Sequence, residues 1–294
     1  MTAGASPTSS GFGGHSTRVE RNERPWRALL AVPIGFAAVF TGIVVYMIAT
    51  AVRDGLVTTP VDGPGGAGVA AHGSPPVLTL LSTLAQDLAI VVGVCIAVAA
   101  SLGGRLRPAL LGLRPARAWS AFWLVIGAYL LFVAVAAGWT SLLGITDREN
   151  VAVSLGTRDS AAALAGAIVL VCAVAPFAEE LFFRGFLFGA LRKYGLIPAA
   201  AITGVVFGLA HVASSPIGFI VPLAVLGVLL CLLYERTGSL YPPMALHCLN
   251  NSIAFGASDG RGWLVPVCLL GAGAAIVFFV WAMKRLFPAP AAAR

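Results

Sequence analysis

Apolar residues in this chain run in long stretches separated by short polar segments. Eight such stretches cover residues 28–52, 77–101, 119–144, 161–190, 198–213, 217–234, 241–257 and 263–283. A helix that crosses a bilayer needs about 20 mostly apolar residues, and most of the stretches meet that length. The fifth and seventh are short, and the fourth is interrupted by Glu179, Glu180 and Arg184. Short or broken spans are tolerated where they line a protein-enclosed cavity. The pattern therefore predicts an all-α polytopic membrane protein with about eight transmembrane helices around a polar intramembrane cavity.

Composition agrees with the pattern. Of 294 residues, 59% are hydrophobic and 11% charged, and the mean hydropathy is +0.91. A soluble domain carries roughly 25% charged residues, so a water-soluble fold is excluded and the lipid bilayer is the first expected partner. The net charge of +7 suits Arg/Lys-rich cytoplasmic loops, and no nucleic-acid partner is expected. Residues 1–26 are polar, Gly/Ser-rich and carry Arg18, Arg21 and Arg24, which predicts a disordered cytoplasmic tail. The apolar run that follows exceeds the 7–15 residues of a signal-peptide core and reads as a retained first helix. Residues 27–286 form the expected transmembrane domain, and 287–294 a short cytoplasmic tail.

Loop charges set an expected orientation. Arg105, Arg107, Arg114, Arg117, Arg192, Lys193, Arg236, Lys284 and Arg285 fall on one side, against Arg53, Arg148, Arg158 and Arg261 on the other. By the positive-inside rule both termini are cytoplasmic, which eight spans satisfy. Cys95, Cys172, Cys231, Cys248 and Cys268 lie in apolar segments without a C-x-x-C spacing and read as packing residues.

Ionisable groups at membrane depth are costly and mark function. Glu180 and Arg184, four residues apart, share a helical face and form a candidate ion pair. Glu179 lies about 100° away around the helix and is left without a local partner, as a candidate general base. Phe207 and His211 are again four apart, placing an aromatic wall beside a histidine; His247 and Asn251 repeat the spacing. A histidine with an amide can stabilise an oxyanion, and Asn250 rivals Asn251 for that role. Two histidines and a carboxylate also suit a zinc site with an open position for water, with Glu179, His211 and His247 as ligands. Spacing does not choose between metal-bound and metal-free water. The zinc-protease helix motif H-E-x-x-H does not occur. Asp87 reads as a packing polar group and Glu235-Arg236 as interfacial.

Glu179-Glu180-x-x-x-Arg184, Phe207-x-x-x-His211 and His247-x-x-x-Asn251, in that order, resemble the three motifs of the CPBP family, the CAAX-protease and bacteriocin-processing intramembrane endopeptidases. The resemblance covers about residues 160–257, with Gly112-Leu113-Arg114 as further support. It implies a protease whose Glu179, assisted by His211, activates water. Glu180 and Arg184 would support the site, and His247 and Asn251 would stabilise the oxyanion. Family members are described both as metalloproteases and as glutamate-type proteases, so a zinc cofactor stays open. The implied substrate is a membrane-associated protein or peptide. The Ala/Gly/Arg-rich composition resembles a bacterial protein, which argues against a prenylated CAAX substrate. Alternatives from other classes are a proton- or cation-coupled transporter and a catalytically silent immunity or scaffold protein.

One expectation is strained. On these boundaries His211 falls near the outer end of segment five and His247 near the inner end of segment seven. Their convergence requires shifted boundaries, or short segments that are tilted or partly re-entrant.

Overall fold

A computed structural model describes residues 76–101, 108–145, 155, 157–158, 160–212 and 214–286, with isolated helical positions between Leu30 and Ile48. The expected N-terminal tail, most of segment one, loop 53–75 and the C-terminal tail lie outside the described residues. Everything described is helix or turn. The helices are α1 (Pro76–Ser101), α2 (Ala118–Leu143), α3 (Ala161–Tyr194), α4 (Leu196–Ala210), α5 (Ile220–Thr237), α6 (Tyr241–Asp259) and α7 (Leu264–Leu286). Each apolar stretch from the second to the eighth is thus a helix. Five among the described residues are long and apolar enough to cross a membrane: α1, α2, α3, α7 and the Ile217–Thr237 run that contains α5. α4 is a shorter apolar helix, and α6 carries His247, Asn250 and Asn251, which lower its hydropathy. Eight spans are therefore not established.

α3 occupies the centre. Its Leu181, Phe182, Phe183, Phe186, Leu187 and Phe188 are all buried, and they join Phe207, Leu226, Leu230, Tyr234 and Met244 in the main core. α2 has the opposite character: only 6% of its most apolar window is buried, and Trp119, Phe122 and Trp123 stand exposed in mutual ring contact. An all-round apolar helix with little burial is suited to lipid, not water. All five cysteines are free, as expected of packing residues.

α4 and α5 pack backbone to backbone. A Cβ on Gly204 would sit 2.6 Å from Val228 Cγ2 and 2.7 Å from the Ala224 carbonyl, and one on Gly208 2.7 Å from the Ile220 carbonyl. From the other side, a Cβ on Gly227 would lie 2.8 Å from Gly204 Cα. Small residues four apart permit this approach between membrane helices, where dispersion takes the place of hydrophobic drive.

The start of α6 is buried. Ser239 and Leu240 are inaccessible, because the Pro108–Arg114 segment folds over them. The Leu240 amide donates to the Gly112 carbonyl at 2.8 Å, Ser239 Oγ donates to the Arg114 carbonyl, and Arg114 Nε donates to the Gly238 carbonyl. Gly112 is at φ +77°, and a Cβ there would lie 2.5 Å from the Tyr234 ring. The conflict over where the histidines lie does not arise in the packed chain: His211 Nε2 and His247 Nε2 both approach Glu179 Oε2. At the far end, Thr157 Oγ1 donates to Asp259 Oδ2 at 2.6 Å and Arg158 to the Asp259 carbonyl at 2.9 Å, tying the approach to α3 to the end of α6.

Gly208→Val should destabilise the protein by at least about 2 kcal/mol, since the added methyls meet backbone that cannot yield. Gly127→Val, where a Cβ meets nothing within 4 Å, should leave the thermal unfolding midpoint in detergent unchanged. Equal midpoints for the two variants would refute the close contact.

Candidate active site

Pro176 shapes the helix that carries the carboxylates. Proline has no N–H to donate, and its ring collides with the carbonyl four residues back in a regular α-helix. The chain responds with a π turn over Leu170–Val174 before resuming α geometry over Ala175–Glu180. Such widened turns are common at functional sites. A second π stretch, Leu181–Phe188, follows directly.

The α-helical stretch sends the two neighbouring glutamates in different directions. Glu180 is fully buried, and its Oε1 accepts from Arg184 Nη1 at 2.7 Å and from His247 Nδ1 at 2.9 Å. Arg184 is equally buried, donates through Nη2 to the Gly227 carbonyl at 3.0 Å, and lies 4.6 Å from the Phe207 ring centroid. The guanidinium is thus held by a carboxylate, an α5 carbonyl and an aromatic face. That carbonyl is within reach because glycine at 227 lets α4 and α5 close up.

Glu179 faces a cavity of about 210 Å³. Its Oε2 has no hydrogen-bond partner and lies 3.8 Å from His211 Nε2 and 4.0 Å from His247 Nε2. Both gaps exceed a direct hydrogen bond. Two hydrogen bonds of ordinary length, meeting at one oxygen atom, span them. His211 caps the C-terminus of α4, and its Nδ1 donates to the Phe207 carbonyl at 2.8 Å. With Nδ1 of each histidine engaged, by Phe207 or by Glu180, both Nε2 atoms are turned toward Glu179.

Asn250 and Asn251 also line the cavity. Asn251 Nδ2 donates to the Val171 carbonyl, in the π turn, at 3.0 Å, and Asn250 Nδ2 donates to Asn251 Oδ1 at 3.3 Å. Each amide nitrogen carries two hydrogens, so each keeps one for the cavity. Phe207 corrects an expectation: it does not line the cavity. It is fully buried behind it, in ring contact with Phe183, His211 and His247 at 5.1, 4.7 and 5.5 Å. The i, i+4 spacing places it beside His211 as expected, but packing against α3 turns its ring inward.

Residues without a motif complete the lining: Thr83, Ser214, Ser215 and Ser258. Single polar side chains within α1, in the turn after α4 and at the end of α6 carry no periodic signal. The Gly227 carbonyl is likewise invisible as a ligand, since any residue presents one.

Zinc fits this arrangement poorly. Two donors bound tetrahedrally at 2.0–2.1 Å lie about 3.3 Å apart, whereas Glu179 is 3.8 and 4.0 Å from the histidines. Among the described residues no group of three His, Cys, Asp or Glu side chains is disposed to hold a metal ion.

Residues 161–253 match the family described as type II CAAX prenyl endopeptidase Rce1-like. No curated protein and no solved structure matches the chain. The matched interval contains every residue of the three motifs.

Arg184→Met should cost about 3–5 kcal/mol, because it leaves the Glu180 carboxylate buried beside a histidine alone. Adding Glu180→Gln should restore much of that loss. Denaturation in mixed detergent micelles checks both; a double variant no more stable than Arg184→Met would refute the pairing.

Proposed function

We propose that this chain, whose residues 161–253 form an Rce1-like type II CAAX prenyl endopeptidase domain, is an intramembrane endopeptidase that hydrolyses a peptide bond in a membrane-associated protein or peptide. The family implies a protease. The observation that carries the mechanism is the unpartnered Glu179 Oε2 facing two histidine Nε2 atoms inside a polar cavity.

In this reading a water is held between Glu179 Oε2 and His211 Nε2. Glu179 takes its proton as the water oxygen bonds to the scissile carbonyl carbon, and the carbonyl π pair moves onto oxygen. Asn251, with Asn250 beside it, donates to that oxyanion. His247 can do so from Nε2 only in its doubly protonated form, because Nδ1 is spent on Glu180. When the tetrahedral adduct collapses, the C–N bond breaks and Glu179 returns its proton to the departing amine. Glu180 and Arg184 touch no reacting atom. They fix the His247 ring and hold α3 against α5. Glu179, His211, His247 and Asn251 are the proposed catalytic residues.

We extend the proposal to topology. All seven described helices, with a first span near 28–52, form eight crossings or partial crossings, and the basic loops put both termini in the cytoplasm. Residues 1–26 and 287–294 are then cytoplasmic tails.

Protein purified in detergent should cleave members of a fluorogenic peptide library or candidate membrane peptides. Glu179→Gln and His211→Ala should each lose at least about 10²-fold in rate, the usual cost of removing acid–base catalysis. Activity that survives Glu179→Gln would sink the mechanism. Asn251→Ala should lower kcat about 10²-fold with KM little changed, as expected for a donor used in the transition state. A loss confined to KM would make Asn251 a substrate-binding or structural residue.

A further inference from the structure

A second cavity, of about 330 Å³, lies on the other side of α3. It takes the face of α3 marked by Val174, Phe177, Ala178 and Leu181, whereas the proposed active site takes Val171, Ala175 and Glu179. α1, the Pro108–Leu113 turn and α7 close the remaining sides. The walls are aliphatic, aromatic or sulfur-bearing, with one exception: Asp87. This carboxylate is only 4% exposed, and its Oδ2 has no hydrogen-bond partner. Among the described residues no basic side chain lines the cavity, and the charge that acts on Asp87 is the repulsive Glu179.

A carboxylate in such surroundings costs several kcal/mol unless a cation or donor meets it. The protein elsewhere pairs its deeply buried carboxylates, Glu180 with Arg184 and Asp259 with Arg261. Asp87 differs from both, because among the described residues no donor meets its Oδ2.

We propose that this cavity is a ligand site for an amphiphile with an apolar chain and a primary amine head, the ammonium pairing with Asp87. The apolar walls take the chain, and the volume holds on the order of ten groups of water or methylene size at roughly 30 Å³ each. Charge selects the head group. A carboxylate or phosphate head meets repulsion from Asp87 and Glu179, and an alcohol brings a donor without charge. The site is separate from the proposed peptidase chemistry, so neither conclusion depends on the other.

Cys95 supplies the readout. It lies two turns beyond Asp87 on α1, lines the same cavity, and is the one cysteine that is not buried. In lipid nanodiscs, alkylation of Cys95 by N-ethylmaleimide should slow at least about fivefold once dodecylamine exceeds about four times its Kd. Dodecanol and dodecanoate should be at least about tenfold weaker protectors, the difference a charge-assisted hydrogen bond makes. Asp87→Asn should erase the preference for the amine over the alcohol. Equal protection by dodecanoate or dodecanol would reduce the cavity to a generic apolar pocket and overturn the proposal, as would no protection by dodecylamine. The comparison of three head groups on the native chain stands even if Asp87→Asn fails to fold.

Discussion

The buried Glu180–Arg184 pair is the constraint on which the rest of the site depends. Each charge alone would be prohibitively costly at this depth, and together they are tolerable only because every neighbour contributes. His247 on α6 donates to the same carboxylate oxygen, the Gly227 carbonyl on α5 accepts from the guanidinium, and Phe207 on α4 offers its ring. One ion pair thus touches four helices. It fixes α3 to the three helices that bring the remaining site residues, and it holds the His247 ring in place through Nδ1.

Satisfying Glu180 in this way is what frees Glu179. Consecutive residues on an α-helix point about 100° apart, so both carboxylates cannot reach the same partners. The first therefore opens on the cavity, where two imidazole nitrogens stand too far away to bind it directly and near enough to share a small molecule with it. The geometry depends on backbone proximity as much as on charge. Without glycines at 204, 208 and 227, α4 and α5 would separate, and both the Arg184 acceptor on α5 and His211 at the end of α4 would move.

Much of this was legible in the chain. Long apolar runs mark helices because a backbone in lipid must satisfy its own hydrogen bonds, and all seven runs in the described region are helices. The three i, i+4 spacings identified the residues that meet at the site, since such pairs share a face whatever surrounds them. Among the described residues five helices meet the length and hydropathy required of a span; of the other three expected, segment one lies outside the described residues, α4 is short, and α6 trades apolar residues for polar ones. Phe207 shows where a shared face stops being informative: adjacency to His211 is local, but which side of the ring meets the cavity depends on α3.

The sequence by itself determined the helical, membrane-suited character, the Glu180–Arg184 partnership and the odd position of Glu179, because these follow from composition and from the 3.6-residue turn. Only the tertiary structure decided that His211 and His247 converge on one carboxylate oxygen. They sit at different points of their helices, His211 at the end of α4 and His247 in the second turn of α6, whose start the Pro108–Arg114 segment buries. It also decided that Asp87 Oδ2 meets no donor among the described residues, since whether a polar group finds a partner depends on residues distant in the chain. Local spacing is a property of one helix, whereas depth, convergence and unmet hydrogen bonds are properties of several helices packed together.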